Sequence, residues 1–245
     1  MSDSTPSHRP VFDAPPDDVV RYRAVSGLAL GGLLAGLASA VALVGPLGWG
    51  VSAGGVALNA LALARIARAG RGLIGRKAAL AGLVLSAFFA AAGVSRWWVG
   101  NRLLDHEARR FAAVWFDALR RGDFYKAQQL TLDPHVRWPP GEDPRDFYRG
   151  NPRRREQLQR YVLQPPVRAL LALGPKAEVR FYETADQGQQ DGRPWVQLTY
   201  AVSYDDPGDG RTSFFLGLLM DRFTAAGRTD WRVLRVDGGV RPQGW

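Results

Sequence analysis

AVSGLALGGLLAGLASAVALV, residues 24–44, decides the architecture, because it runs for a whole membrane thickness without a charge. A helix rises 1.5 Å per residue, so about 20 apolar residues cross the ~30 Å hydrocarbon layer. Working outward, Pro46 and Gly48 suit a tight turn, and Trp49 suits a membrane interface. A second uncharged run, Leu47 to Ala64, ends at Arg65, and a third, Ala78 to Ser95, ends at Arg96-Trp97-Trp98. The expectation is an α-helical transmembrane segment of three helices at residues 22–99, preceded at 1–21 by a polar, Pro/Asp-rich cytoplasmic tail without apolar periodicity.

Charge sets the orientation. The connection between the second and third runs holds Arg65, Arg68, Arg71, Arg76 and Lys77 with no acid, whereas the first turn is uncharged. The positive-inside rule puts the basic loop and the N-terminus, with Arg21 and Arg23, in the cytoplasm, and residues 100–245 outside. The expected location is a multi-pass position in the cell (cytoplasmic) membrane. The same loop also has the composition to bind anionic lipid. Cleavage of the first run as a signal peptide at Ala38-Ser39-Ala40 is the competing reading; the apolar run continues past that point and acids precede it. Three buried helices of a soluble protein are a further alternative, which runs so free of polar residues argue against.

Small residues crowd the first two runs. Gly27/Gly31, Gly32/Gly36 and Gly50/Gly54 each match G-x-x-x-G, and Asn59 is the one strongly polar residue inside a span. Such faces let backbones approach closely, either within the chain's own hairpin or in a homo-oligomer. One Asn does not make a transport path. The elements Ser26-Gly27-Leu28-Ala29, Leu61-Ala62-Leu63-Ala64-Arg65-Ile66-Ala67-Arg68 and Gly75-Arg76-Lys77-Ala78 through Ser86 resemble the bacterial domain-of-unknown-function 4190 (DUF4190) family. Over residues 22–95 that resemblance implies a membrane location and supplies no activity. The whole arrangement also resembles membrane proteins of planctomycete-type bacteria.

Composition narrows the chemistry. The chain has no cysteine, which removes disulfides, thiol catalysis, iron–sulfur clusters and Cys-type zinc sites. His8, His106 and His135 are far apart, with no metal-ligand spacing. No cofactor motif is present: Walker loop, G-x-S-x-G, H-E-x-x-H and EF-hand patterns are all missing. Basic residues outnumber acidic ones 9 to 4 up to residue 99 and 23 to 19 after it. That excess lacks any nucleic-acid-binding module, so the lipid bilayer and a protein partner are the expected contacts, and nucleic acid is not.

From Leu103 the apolar spacing becomes amphipathic: Leu104, Ala108, Phe111, Val114, Trp115, Ala118 and Leu119 recur at helical intervals up to Gly122. Asp123 caps a short helix to Leu130, and Asp133 through Pro144 reads as a loop. Asn151-Pro152 starts a helix to about Leu163, and Pro165-Pro166 starts another, Val167 to Leu173. Four strands are expected at Ala177–Thr184, Trp195–Tyr204, Thr212–Arg222 and Trp231–Asp237, the third central because Phe214 to Met220 is apolar on both faces. Residues 100–245 therefore read as an extracytoplasmic α+β domain with a roughly four-stranded antiparallel curved sheet.

The long helix ending at Gly122-Asp123, the short helix ending at Leu130 and the strands closing with Trp231-Arg232-Val233 resemble the ketosteroid-isomerase-like (nuclear-transport-factor-2-like) superfold. That resemblance implies a cone whose mouth holds a ligand or partner, in a fold reused for many functions. Candidate groups for catalysis are Asp105, His106 and Glu107 on the helix, Asp133 and His135 in the loop, and Asp237; all equally suit an exposed face or turn. Tyr148, Tyr161, Tyr182, Tyr200 and Trp138 suit a pocket lining or a core. Arg153, Arg154 and Arg155 at a helix start suit an anion or lipid headgroup, or a solvated face. Three functions fit: a membrane-anchored, non-enzymatic binding or assembly module; a membrane-tethered enzyme; a transport accessory. A closed apolar interior favours the first, and a cavity holding a free carboxylate or histidine the second.

Overall fold

The computed structural model describes residues 24–25, 27–68, 73–139, 143–225 and 228–242. The chain divides into two compact units between Trp97 and Trp98. The N-terminal tail expected at 1–21, the Arg21 and Arg23 pair, Arg71, and the Pro140-Gly141 step of the loop lie outside the described residues.

In the first unit β1 (Ala24–Val25) precedes α1 (Gly27–Ala38). The uncharged run predicts one α-helix to Val44; instead the chain tightens into a 3-10 helix at Ser39–Leu43. Ser39 Oγ donates back to Ala35 O at 2.8 Å, a local bond of the kind that bends helices. After the turn come α2 (Leu47–Arg68), β2 (Leu73–Ile74) and α3 (Arg76–Arg120). β1 and β2 pair in parallel, Ala24 with Leu73 and Val25 with Ile74. The starts of α1 and α3 therefore lie at one end of this unit, where α2 finishes. The three helices pack together. α2 and α3 are long and apolar enough to cross a membrane, and Gly27–Leu43 is shorter.

The second unit begins with α3 from Trp98, so the amphipathic segment is the continuation of the third apolar run. Leu104, Ala108, Ala112, Trp115, Phe116, Ala118 and Leu119 are buried. Val114, expected on that stripe, is 45% exposed, because the buried arc is centred on Ala108, Ala112 and Trp115. Gly122, at φ 74°, ends α3: Asp123 N donates to Ala118 O and Gly122 N to Leu119 O, so the last carbonyls are satisfied. Asp123 then caps α4 (Phe124–Gln129) by accepting from Lys126 N.

The stretch from Asp133 is not all loop. Pro134–Val136 forms a 3-10 turn, and α5 (Pro144–Arg149) starts where Asp143 accepts from Arg145 N. α6 (Pro152–Val162) and α7 (Pro165–Leu173) follow, α6 capped by Asn151.

The sheet is open and antiparallel, in the order β3 (Glu178–Gln190), β4 (Arg193–Asp206), β5 (Gly210–Ala225), β6 (Arg228–Gly238). β5 is internal, as its apolar run predicts, and so is β4. The strands outrun their expected limits. Residues 186–194 are not a loop: pairing continues to Gln190 and Arg193 around Asp191-Gly192, both at positive φ (51° and 76°). That is the two-residue turn that Asp-Gly favours, and its polar neighbours belong to strands with a solvent face. Val196, Leu198, Tyr200, Val202, Leu216, Leu218, Met220, Trp231 and Val233 meet α3, α6 and α7 in one core.

Candidate functional site

Within the first unit the buried positions, Ile66 apart, are small or polar. They are Ala29, Gly32, Gly36, Ser39 and Ala42; Gly48, Ser52, Gly55, Asn59, Ala62 and Ile66; Ala79, Gly82, Ser86 and Gly93. In α2 they recur at alternating steps of four and three, the period that keeps one seam facing its neighbours. The seam brings backbones into contact: a Cβ added at Gly36 would stand 2.7 Å from Gly82 O, one at Gly82 2.7 Å from Gly32 O, and one at Gly93 2.6 Å from Ala42 O.

Asn59 sits at the centre, fully buried. Its Nδ2 donates to Gly32 O (2.9 Å) and Gly55 O (2.8 Å). Its Oδ1 has no hydrogen-bond donor among the described residues and lies against Gly32 and Gly82, where a Cβ on either would be 2.2 or 2.5 Å away. One amide therefore touches all three helices. A second polar step lies farther along, where the Ser39 and Ser86 hydroxyls are hydrogen-bonded (3.3 Å) and Ser52 Oγ donates to Ser39 O (3.2 Å).

The glycines singled out by G-x-x-x-G separate into two groups. Gly32 and Gly36 face the seam. A Cβ added at Gly27, Gly50 or Gly54 would meet nothing within 4 Å among the described residues, and one at Gly31 only Leu58 Cδ2 at 4.0 Å. Sequence reasoning passed over Gly55, Gly82, Gly93, Ser39, Ser52 and Ser86 as contact residues. The signal that finds them is the seven-residue recurrence of small side chains, not the four-residue motif.

In the second unit the candidate acids are held by arginines. Asp105 pairs with Arg109 and accepts from Thr184 Oγ1. Glu107 lies 3.3 Å from Arg222 Nε. Asp133 accepts from His135 N and lies 3.8 Å from Arg232, and Asp237 accepts from Arg235 Nε. His106 is exposed. The nearly buried Asp221 binds Arg232 through both oxygens, at 2.8 and 2.9 Å. Arg137 reaches Asp230 at 2.7 Å and also donates to Trp231 O, tying the loop after α4 to the edge of β6. Burial pulls the Arg137 guanidinium below its ordinary pKa, and Asp230 opposes the shift.

The aromatic set does not form one pocket. Tyr161 accepts from Trp115 Nε1 at 3.0 Å in the core. Tyr148 donates to Gln128 Oε1 and accepts from Gln129 Nε2 at 3.0 Å, and Trp138 N donates to Gln129 Oε1. Burial pushes the Tyr148 phenol up to about 12, and raises those of Tyr161 and Tyr200 as well. Tyr182 is 44% exposed and meets Phe215 edge-on.

The three arginines of α6 also diverge. Arg154 folds down over Phe147, its Cζ 3.7 Å from the ring centroid, while Arg153 and Arg155 are exposed. Asn151 Oδ1 already takes the N–H groups of Arg153 and Arg154. Comparison of the chain with family models, curated proteins and solved structures finds no match.

Proposed function

We propose that this chain is a membrane-anchored binding or assembly module, in which residues 22–99 cross the bilayer three times and residues 100–245 are displayed outside the cytoplasm. The observation that carries the reading is the inverted burial of the first unit. It hides Ser39, Ser52, Asn59 and Ser86 and exposes Leu34 at 60%, Val84 at 59% and Phe88 at 62%. Only 28% and 22% of the most apolar windows of α2 and α3 are buried. A helix of a soluble core would be mostly buried, and an apolar surface of this extent needs lipid or protein around it.

The short first helix is compatible with a crossing. Twelve α-helical and five 3-10 residues extend about 28 Å at their respective rises, against a layer of ~30 Å. The parallel β1–β2 pairing supports an N-terminus on the same side as the basic connection. Trp49 and Trp97 meet edge-to-face at 5.7 Å at the opposite end, as an interfacial pair would.

Binding is favoured over catalysis because the space under the sheet is filled by Trp115, Leu119, Leu170, Leu198, Leu216 and Leu218, each fully buried. The carboxylates that could serve as a base are held by arginines. Strand irregularities at Phe181/Glu183, Thr184/Asp186 and Leu219/Met220 support a curved sheet. Reporter fusions after Ala69 and after Arg102 test the topology. The expected result is a cytoplasmic signal at the first and an external one at the second; two cytoplasmic signals would overturn the reading.

A further inference from the structure

The face of the sheet turned away from α3 carries a groove of ≈ 550 Å³ at the β3–β4 hairpin end. Its floor includes Trp195 on β4, which pairs across the strands with Gly188 on β3. A Cβ at Gly188 would stand 2.9, 3.0 and 3.1 Å from Trp195 Cζ2, Cε2 and Nε1. The Nε1–Cε2–Cζ2 edge of the indole therefore packs directly against Gly188, where any side chain would collide with it. The indole is partly exposed and lines the groove with Leu219 and Leu234.

The rim is polar and balanced in charge. Arg193 and Arg232 oppose Asp191 and Asp221, and Gln190 and Gln197 add two amides. The cations are positioned before any ligand arrives. Arg232 is fixed by Asp221, and both guanidinium groups stack on Phe223, at 4.5 Å for Arg232 and 4.4 Å for Arg193. Preorganised polar groups lower the entropy lost on binding.

We propose that this groove binds a neutral oligosaccharide, with a sugar ring stacked on the exposed part of the Trp195 indole. The proposal rests on the reading of this domain as a binding module and supplies its ligand class. A flat indole matches the C–H face of a pyranose. Amide, guanidinium and carboxylate groups each offer paired donors or acceptors suited to neighbouring hydroxyls. Equal numbers of cations and anions give neither a phosphate nor an ammonium ligand a net attraction. The volume lies within the range of small-ligand sites and accommodates about two or three sugar rings.

The test uses the full chain in lipid nanodiscs, since detergents with sugar headgroups would compete. Cellotetraose, chitotetraose and maltotetraose are titrated by calorimetry at two salt concentrations. At least one is expected to bind with a Kd of about 1 mM or tighter, without salt dependence. Trp195→Ala and Gly188→Leu, which removes or displaces the platform, should each weaken it at least about tenfold, and Gln197→Ala less. Thermal melting confirms that each variant is folded. No heat from any neutral tetrasaccharide at about 10 mM, or binding unmoved by Trp195→Ala, would overturn the proposal. So would preference for a sulfated glycan with salt-sensitive affinity. These outcomes are read on purified protein, so they are separate from the topology result.

Discussion

In the first unit the fully buried side chains are Ala29, Ser39, Ser52, Asn59, Ala62, Ala79 and Ser86, and most leucines and valines face outward. In the second unit Trp115, Leu119, Leu198, Leu216 and Met220 are buried, and Arg121, Arg149 and Arg160 face outward. One chain thus uses two opposite rules for what to hide. Where water surrounds a fold, large apolar area removed from it supplies the drive, about 25 cal/mol per Å². If lipid surrounds the first unit, as proposed, a leucine there gains little by turning inward. Close backbone approach and interhelical hydrogen bonds then decide what faces the neighbour. The difference is open to test by substitutions whose effects should depend on which rule applies.

The largest effect belongs to the water-driven core. Trp115→Ala empties the space between α3 and the sheet and leaves Tyr161 without its indole donor. Destabilisation of about 3–5 kcal/mol is expected, read as a lower urea midpoint for the second unit. A loss well under that range would mean the core is less tightly packed than its burial indicates.

Alkaline pH probes the buried phenols of the second unit. The buried phenol of Tyr148 is pushed up to about 12 from 10.0, so the unfolded chain gives up this proton first. The stabilisation is complete below the unfolded value and is lost as pH rises through the folded one, at about 1.4 kcal/mol per pH unit. Tyr161 and Tyr200 act in the same direction. Among the first unit's described residues there is no tyrosine, so no buried phenol there is expected to add to the fall. Urea midpoints measured upward from about pH 9 should fall for the second unit, and Tyr148→Phe should flatten the fall.

The seam comes next. In Gly82→Ile the new Cβ would meet Gly32 O at 2.7 Å and Asn59 Oδ1 at 2.5 Å, and a backbone carbonyl cannot rotate aside. The helices must separate, at about 1–3 kcal/mol, seen as a lower SDS-denaturation midpoint in mixed micelles.

Much of this was legible in the sequence, and what was not has physical causes. Charge-free runs, helix caps at Asp123 and Asn151, and alternation in β4 depend on near neighbours, and they predicted the elements. Strand ends were missed because Gln187, Gln189 and Gln190 read as loop, although Asp191-Gly192 was the turn signal. The Ser39 break in the first run depends on one hydroxyl choosing Ala35 O. Asn59 was visible as an isolated polar residue; its contacts with Gly32 and Gly82 were not, because they join residues 27 and 23 positions away. The groove over Trp195 was illegible for the same reason: Gly188, Leu219 and Arg232 converge only through strand register.

The smallest expected effect is the most discriminating. Gly50 and Gly54 fit G-x-x-x-G as well as Gly32 and Gly36 do, yet a Cβ at either meets nothing within 4 Å. Gly54→Leu should therefore leave the SDS-denaturation midpoint within about 0.5 kcal/mol of the original. Gly82→Ile enlarges a glycine of the same bundle and should lower it. If the sequence motif itself dictated packing, the two variants would be equally damaging. If position on the seam dictates it, only Gly82→Ile lowers the midpoint. A Gly54→Leu protein that keeps its midpoint but sediments as a smaller particle than the original would assign the outward glycines to contact between copies. An unchanged sedimentation coefficient would argue against such a contact.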